Sequence, residues 1–128
     1  MLEKVKERLQ SFGYVLQEGD ETILTFCIGK VEATIKNDCN VSEIPEGLVY
    51  IAIDMVCGEF LTAKKTFSPD SIAGLNLDYA IKQIQEGDTN IVFALGAGRS
   101  TPEQRLDNLI AYLISGRTHE FIRFRRLV

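Results

Sequence analysis

The stretch from Ile44 to Leu61 reads IPEGLVYIAIDMVCGEFL and carries the clearest helical pattern in the chain. Pro45 suits the first turn of a helix, because its ring fixes φ and its missing amide proton is not needed there. Gly58 lies inside the helix, where glycine costs up to about 1 kcal/mol relative to alanine, so we expect another helix to approach it closely. The apolar residues recur at helical spacing and predict one broad buried face: Leu48, Ile51, Ala52, Met55, Val56, Phe60 and Leu61.

Three further segments show a helical pattern on either side of this stretch. The first carries an apolar stripe and is expected to end at Gly13. The second is expected to begin with Asp20 as its cap. The last begins at Thr101, which forms a predicted capping box with Gln104 and is followed by proline in the first turn, and ends at Gly116.

Residues 77–95 carry a different pattern and predict a β-hairpin inserted into the helical fold. A helix from Leu77 to Gln85 is the alternative, because Ala80, Ile81 and Ile84 also fit helical spacing. A hairpin alone is only marginally stable, so we expect its exposed face to be completed by another subunit. The alternating apolar residues flank a turn signal at residues 86–89: Leu77, Tyr79 and Ile81 precede it, and Ile91, Phe93 and Leu95 follow it.

The composition predicts one domain. The chain has 128 residues, of which 45% are apolar and 25% are charged, close to globular averages. We expect residues 1–128 to form a mainly α fold, a small bundle of about four helices with an inserted β-hairpin at about 77–95 and a basic tail at about 117–128. No apolar run is long enough to span a bilayer and the N-terminal residues show no signal-peptide pattern, so a soluble cytoplasmic protein without a membrane partner is expected.

Charge is distributed unevenly along the chain. Residues 17–59 contain nine acids and two lysines, whereas residues 117–128 contain four arginines and one glutamate. The formal net charge of −4 argues against a general nucleic-acid binder, and opposite charges on one subunit suit contacts between copies. The predicted contact residues lie on the hairpin and the tail: Tyr79, Ile91, Phe93, Leu95, Arg123, Phe124, Arg125 and Arg126.

The sequence shows no catalytic, cofactor or metal motif, so we expect a protein that is not an enzyme. The three cysteines are an odd number without CxxC spacing, which indicates a reducing compartment and no disulfide framework. Cys57 is expected to be a core thiol, because the single histidine, His119, lies far from it in sequence. Residues 96–100, GAGRS, lack a complete phosphate-binding pattern and are expected to be a hinge. The central carboxylates are expected on a solvated or subunit-facing surface: Glu43, Glu46, Asp54 and Glu59.

The order of these elements resembles the small head–tail connector (adaptor) proteins of tailed bacteriophages and prophages, also labelled phage DNA-packaging proteins. Four runs carry the resemblance, which spans nearly the whole chain. They are IPEGL at 44–48, DMVCGEFL at 54–61, IKQIQEGDTNIVF at 81–93 and FRRL at 124–127. The third is similar to a V-K-x-I-x-E-G-D hairpin of that family, and the fourth is similar to its closing aromatic and basic run.

The resemblance implies a structural subunit of a ring, usually of twelve copies, that docks on the portal protein. Such a ring extends the DNA channel, binds a downstream connector or tail protein, and lets genomic DNA pass without sequence-specific contacts. It belongs to the virion and is present in the host cytoplasm during assembly. Closing a ring needs a head-to-tail interface between copies. The alternative is a small DNA-binding or regulatory helical protein of a prophage, although no predicted helix carries a basic face.

Overall fold

The computed structural model describes residues 1–87 and 101–126, and this part of the chain is mainly helical, as predicted. It contains no strand within those two ranges. The α-helices are α1 (Leu2–Ser11), α2 (Asp20–Cys39), α3 (Val49–Phe67), α4 (Leu77–Gly87) and α5 (Pro102–Ser115). Short 3-10 helices span Glu46–Leu48, Pro69–Ile72 and Thr118–Phe124.

Helix α3 is the centre of the bundle, because α1, α2 and α5 all pack against it. Its predicted apolar face is buried, with Phe60 fully inaccessible and Met55 nearly so. The predicted close approach at Gly58 is confirmed. A Cβ atom there would lie 2.6 Å from Cγ1 of Ile114 and 3.0 Å from Cβ of Leu113, both on α5. The glycine therefore lets α3 and α5 pack with little space between them.

The predicted helix ends at Gly13 and Thr101 are confirmed, and those at Pro45 and Asp20 are corrected. Pro45 precedes the 3-10 helix Glu46–Leu48, and α3 begins only at Val49. Gly13 follows α1 with a φ of +90°, which an L side chain rarely adopts. Thr101 forms the expected capping box, in which its hydroxyl accepts from the Gln104 amide while the Gln104 side chain accepts from the Thr101 amide. Asp20, however, is not the cap of α2. Gly19 holds that position, and Asp20 is the first helical residue, buried in the core.

The predicted β-hairpin is wrong, since its first strand is helix α4. The alternation of Leu77, Tyr79 and Ile81 is outweighed by the helical spacing of Ala80, Ile81 and Ile84, all buried on one face. The side chain of Asn76 supports the start of the helix by accepting a hydrogen bond of 3.0 Å from the Tyr79 amide. The residues predicted for the second strand lie outside the described part of the chain: Ile91, Phe93 and Leu95.

The described helices include none that is long and apolar enough to cross a membrane.

Candidate protein-docking groove

The C-terminal residues are fixed to the end of α2. Phe121 is buried, and its carbonyl accepts a long hydrogen bond from the Cys39 thiol, with 3.8 Å between sulfur and oxygen. The Arg126 amide donates to the Cys39 carbonyl at 2.8 Å, and the Asn40 side chain donates to the Arg126 carbonyl at 3.3 Å. Residues 121–126 of the basic tail are therefore attached to the helical fold.

Two of the predicted contact residues bind their own chain. Arg125 forms a two-pronged ion pair with Asp38, with nitrogen–oxygen distances of 3.1 and 3.2 Å. Phe124 packs against Gly47, where a Cβ atom would lie 2.5 Å from the ring. These contacts hold Arg125 and Phe124 in place, so they position the tail, while Arg123 and Arg126 remain exposed beside them.

The tail and the loop after α2 enclose a groove of about 720 Å³, which we call the tail groove. Its apolar floor includes Ile44, Val49 and Phe124, all partly buried. The charged residues at its edges are exposed. Glu43 and Glu46 lie on the loop side, and Arg123 and Arg126 lie on the tail side: the complete lining is Val41, Ser42, Glu43, Ile44, Pro45, Glu46, Val49, Arg123, Phe124, Arg125 and Arg126.

The acidic surplus of residues 17–59 is mostly neutralised within the fold. Of its nine acids, six form ion pairs with described residues. These pairs are Asp20–Lys64, Glu21–Lys6, Glu32–Lys36, Asp38–Arg125, Asp54–Arg8 and Glu59–Lys30. Glu43 and Glu46 form no ion pair with any residue that the structure describes, and neither do Arg123 and Arg126. The tail groove thus carries exposed charges of both signs that form no ion pair within the described residues.

The remaining predicted contact residues do not join this site. Tyr79 lies on α4, is 53% exposed and does not line the tail groove. Ile91, Phe93 and Leu95 fall in the segment that the structure does not describe, as does the predicted hinge at residues 96–100.

A polar cluster joins α1, α3 and α4 away from the groove. Arg8 donates to Asp54 at 3.0 Å and to the Gln83 side chain at 3.3 Å, and Gln83 in turn donates to the Ser11 carbonyl at 2.9 Å. Burial raises the pKa of Asp54, and the Arg8 guanidinium opposes this effect without cancelling it. Asp54 is thus only partly exposed, and its carboxylate is paired with Arg8 of α1. The cluster as a whole joins the three helices.

A second polar cluster, which the sequence did not reveal, lies in the core. Nζ of Lys64 is 2.5 Å from a carboxylate oxygen of Asp20, and the other oxygen accepts from the Tyr14 hydroxyl at 2.6 Å and the Gln17 amide at 2.8 Å. The Tyr14 ring meets the Phe60 ring edge-on at 5.3 Å. Burial, followed by the hydrogen bond to Asp20, raises the pKa of Tyr14 far above its ordinary value. The sequence predicts Asp20 as a helix cap and not as a partner of Lys64.

The cysteines are buried thiols in this fold. Burial raises the pKa of Cys57 well above its ordinary value and also raises the pKa of Cys27 and Cys39, which makes the reactive thiolate scarce at each. Within residues 1–87 and 101–126, no group of three or more histidine, cysteine, aspartate or glutamate side chains could hold a metal ion.

No family model, curated protein or solved structure matches this chain.

Proposed function

We propose that the chain is a structural subunit of a head–tail connector ring in a tailed bacteriophage or prophage. In this role it docks on the portal protein, extends the DNA channel and joins the capsid to the tail. The proposal rests on the resemblance carried by residues 44–48, 54–61 and 124–127. The run at 81–93 supports it less than expected, because residues 81–87 are helical and not part of a hairpin.

The tail groove is the observation that carries the proposal. It has an apolar floor between exposed charges, and an apolar centre with a polar rim is typical of protein-binding surfaces. A ring needs two different surfaces on each subunit that complement each other. Exposed arginines on one side and exposed glutamates on the other can bind oppositely charged residues of a neighbouring copy or of the portal.

The proposal predicts that reversing the charges of Arg123 and Arg126 blocks assembly and spares folding. In an Arg123→Glu/Arg126→Glu chain, the contacts of Phe121 and Arg125 that fix the tail remain, so the melting temperature should stay close to wild type. Particles made by complementation should be filled heads without tails, as seen by electron microscopy. A Lys4→Glu/Lys82→Glu chain makes the same charge change at exposed residues outside the groove and should give normal particles.

Two results would overturn the proposal. Tailed particles from the Arg123→Glu/Arg126→Glu chain would show that the tail groove is not a docking site in assembly. Retention of the wild-type chain on DNA that weakens with salt, and is lost in the same variant, would favour a DNA-binding regulator. Negative-stain images of the chain mixed with a candidate portal protein test ring formation directly.

A further inference from the structure

A second groove lies at the end of α3 that is far from the tail groove, and we call it the α5 groove. It has a volume of about 310 Å³ and lies where the end of α3, the 3-10 helix Pro69–Ile72 and the first turns of α4 and α5 meet. Leu75 and Leu106 line it and are partly buried. Lys65 and Glu103 are the charged residues among its described lining. The groove can therefore take up an apolar side chain next to a charge.

The free charges beside the α5 groove, meaning those without an ion pair to any described residue, are acidic. Glu103 lines the groove and Asp70 lies on the adjoining 3-10 helix, and both are exposed. Lys82 is a free cation on α4, but it does not line the groove. The other cations of these elements are already paired: Lys64 with Asp20, Lys65 with Asp107 and Arg105 with Asp78. A group that brings its own cations would therefore complement this groove.

The basic tail of the chain carries such a group. Ile122 is 64% exposed, although an isoleucine gains from burial. Arg123 follows it directly and Arg126 lies four residues after it, and both are exposed and free. The other arginines of the tail are already paired: Arg117 with Glu120 and Arg125 with Asp38. The tail thus presents an exposed apolar side chain together with two free cations.

We propose that Ile122 of one copy inserts into the α5 groove of the next copy. Arg123 and Arg126 then lie beside the two free acids of that groove. A second copy is the occupant because the chain itself carries both halves of the contact, each with an apolar centre and with free charges of opposite sign. The α5 groove thus becomes the second surface that each subunit of a ring needs, and this role rests on the connector proposal above.

The acids of the tail groove limit the orientation of the contact. Glu43 and Glu46 lie across that groove from the free arginines, and they would repel Asp70 and Glu103 of the next copy. The tail side must therefore face the α5 groove, and the loop side must be turned away from it.

The two surfaces lie at opposite ends of the central helix. Val49, the first residue of α3, lines the tail groove, and Lys65, in its last turn, lines the α5 groove. Their separation along the helix is about 24 Å. A contact between two different surfaces can repeat from copy to copy, and it closes into a ring when successive copies are suitably rotated.

Sedimentation velocity of the full chain over a range of concentrations tests the contact. Wild type should form species larger than dimers at high concentration. Arg123→Glu/Arg126→Glu and Asp70→Lys/Glu103→Lys should each weaken association by about 100-fold or more, because like charges would then face each other. Lys4→Glu/Lys82→Glu makes the same charge change as the tail variant outside both grooves and should associate like wild type.

The apolar centre is tested with one substitution. Ile122→Asp should also weaken association, while the melting temperature stays near wild type because the side chain is exposed in the monomer. Phe26→Asp, which changes an exposed apolar residue of α2, is the matched control and should associate normally.

Mixing the two charge-reversed variants tests the pairing of the surfaces. The glutamates of one variant's tail match the lysines of the other variant's groove, and the opposite contact keeps its natural arginines and acids. An equimolar mixture should therefore regain the association that neither variant shows alone. Such recovery would also show that both variants are folded.

Four results would contradict the proposed contact. They are a wild type that stays monomeric up to about 1 mM, association that stops at two copies, unchanged association of Ile122→Asp, and no recovery in the mixture. If the groove variant self-associates normally but no longer docks on a portal protein, the occupant of the α5 groove is the portal and not a second copy.

These measurements use the chain alone, so they separate this contact from the connector proposal. Recovery in the mixture, combined with tailed particles from the Arg123→Glu/Arg126→Glu chain, would leave the contact in place and overturn the connector role. Tailless particles from that chain without recovery in the mixture would do the reverse.

Discussion

The Asp20–Lys64 pair is the residue-scale feature on which the stability of the core depends most. Both side chains are almost inaccessible, and Lys64 also lies over the Phe60 ring, 5.7 Å from its centre. Removing one partner of a buried pair leaves the other as an uncompensated charge. The pair also joins the start of α2 to the end of α3, so its loss affects two helices.

We expect Lys64→Met to destabilise the fold by about 3–5 kcal/mol, because Asp20 would remain buried without its cation. Urea denaturation followed by circular dichroism measures the change. Lys65→Met is the control, since Lys65 pairs with the exposed Asp107 at the surface and such pairs contribute at most about 1 kcal/mol. Equal effects of the two substitutions would show that the buried pair contributes no more than a surface pair.

Asp20 also predicts how stability depends on pH. Burial alone would raise its pKa, but Lys64, the Tyr14 hydroxyl and the Gln17 amide together hold the pKa below its ordinary value. A carboxylate of this kind stabilises the fold above its unfolded pKa of about 3.9, and the contribution is lost as pH falls through the lower folded pKa.

The free energies of unfolding of wild type and Asp20→Asn should therefore differ most near neutral pH. The difference between their unfolding free energies should become smaller as pH falls below about 4. Denaturation curves of both chains from pH 7 to pH 2.5 measure it. A difference in unfolding free energy that stays constant over this range would mean that Asp20 has the same pKa in the folded and unfolded states.

At the scale of elements, the two glycines inside long helices should respond in opposite ways to alanine. Gly58→Ala places a methyl group against α5, at 2.6 Å from Ile114, and should destabilise the fold by about 1–3 kcal/mol. Gly29→Ala meets open space in the monomer and should stabilise it by up to about 1 kcal/mol. Thermal melting of dilute samples checks both. A stabilised Gly58→Ala would contradict the close packing of α3 and α5.

The helices were predicted where one local signal dominates. Residues 48–61 carry a continuous apolar face, and Thr101 with Gln104 forms a cap that depends on neighbouring residues only. Helix α4 was missed because Tyr79 and Ile81 fit both the alternation of a strand and, with Ile84, the spacing of a helix. Burial of one face against the rest of the bundle decides between the strand period and the helix period. This burial is a tertiary effect, so a short stretch of sequence does not show it.

The candidate site was predicted only in part, again because the sequence does not show tertiary contacts. Arg123 and Arg126 were named from the basic tail, and both line the tail groove. Glu43 and Glu46 were named among four carboxylates expected on a solvated or subunit-facing surface. The sequence does not show that the other two, Asp54 and Glu59, pair with Arg8 and Lys30. Pairs separated by tens of residues leave no pattern in the sequence that could identify them.

At the scale of the whole molecule, the connector proposal predicts how assembly depends on conditions. The free chain should be monomeric or weakly self-associating at low concentration, and should form rings at high concentration or on a portal protein. Charged contacts at the tail groove are screened by salt, so ring formation should weaken as ionic strength rises. Light scattering over concentration and salt measures this. A tight two-fold dimer that is insensitive to salt would contradict the prediction.

The buried cysteines can be used to measure partial unfolding of the chain. Cys39 lies under the tail, with its sulfur near the Phe121 carbonyl, whereas Cys57 lies in α3 with its sulfur 3.9 Å from the Val5 carbonyl. An alkylating reagent can reach Cys39 once the tail lifts, but it reaches Cys57 only when α1 separates from α3. Mass spectrometry of peptides after timed alkylation would therefore give separate opening rates for the tail and the core, without any introduced label.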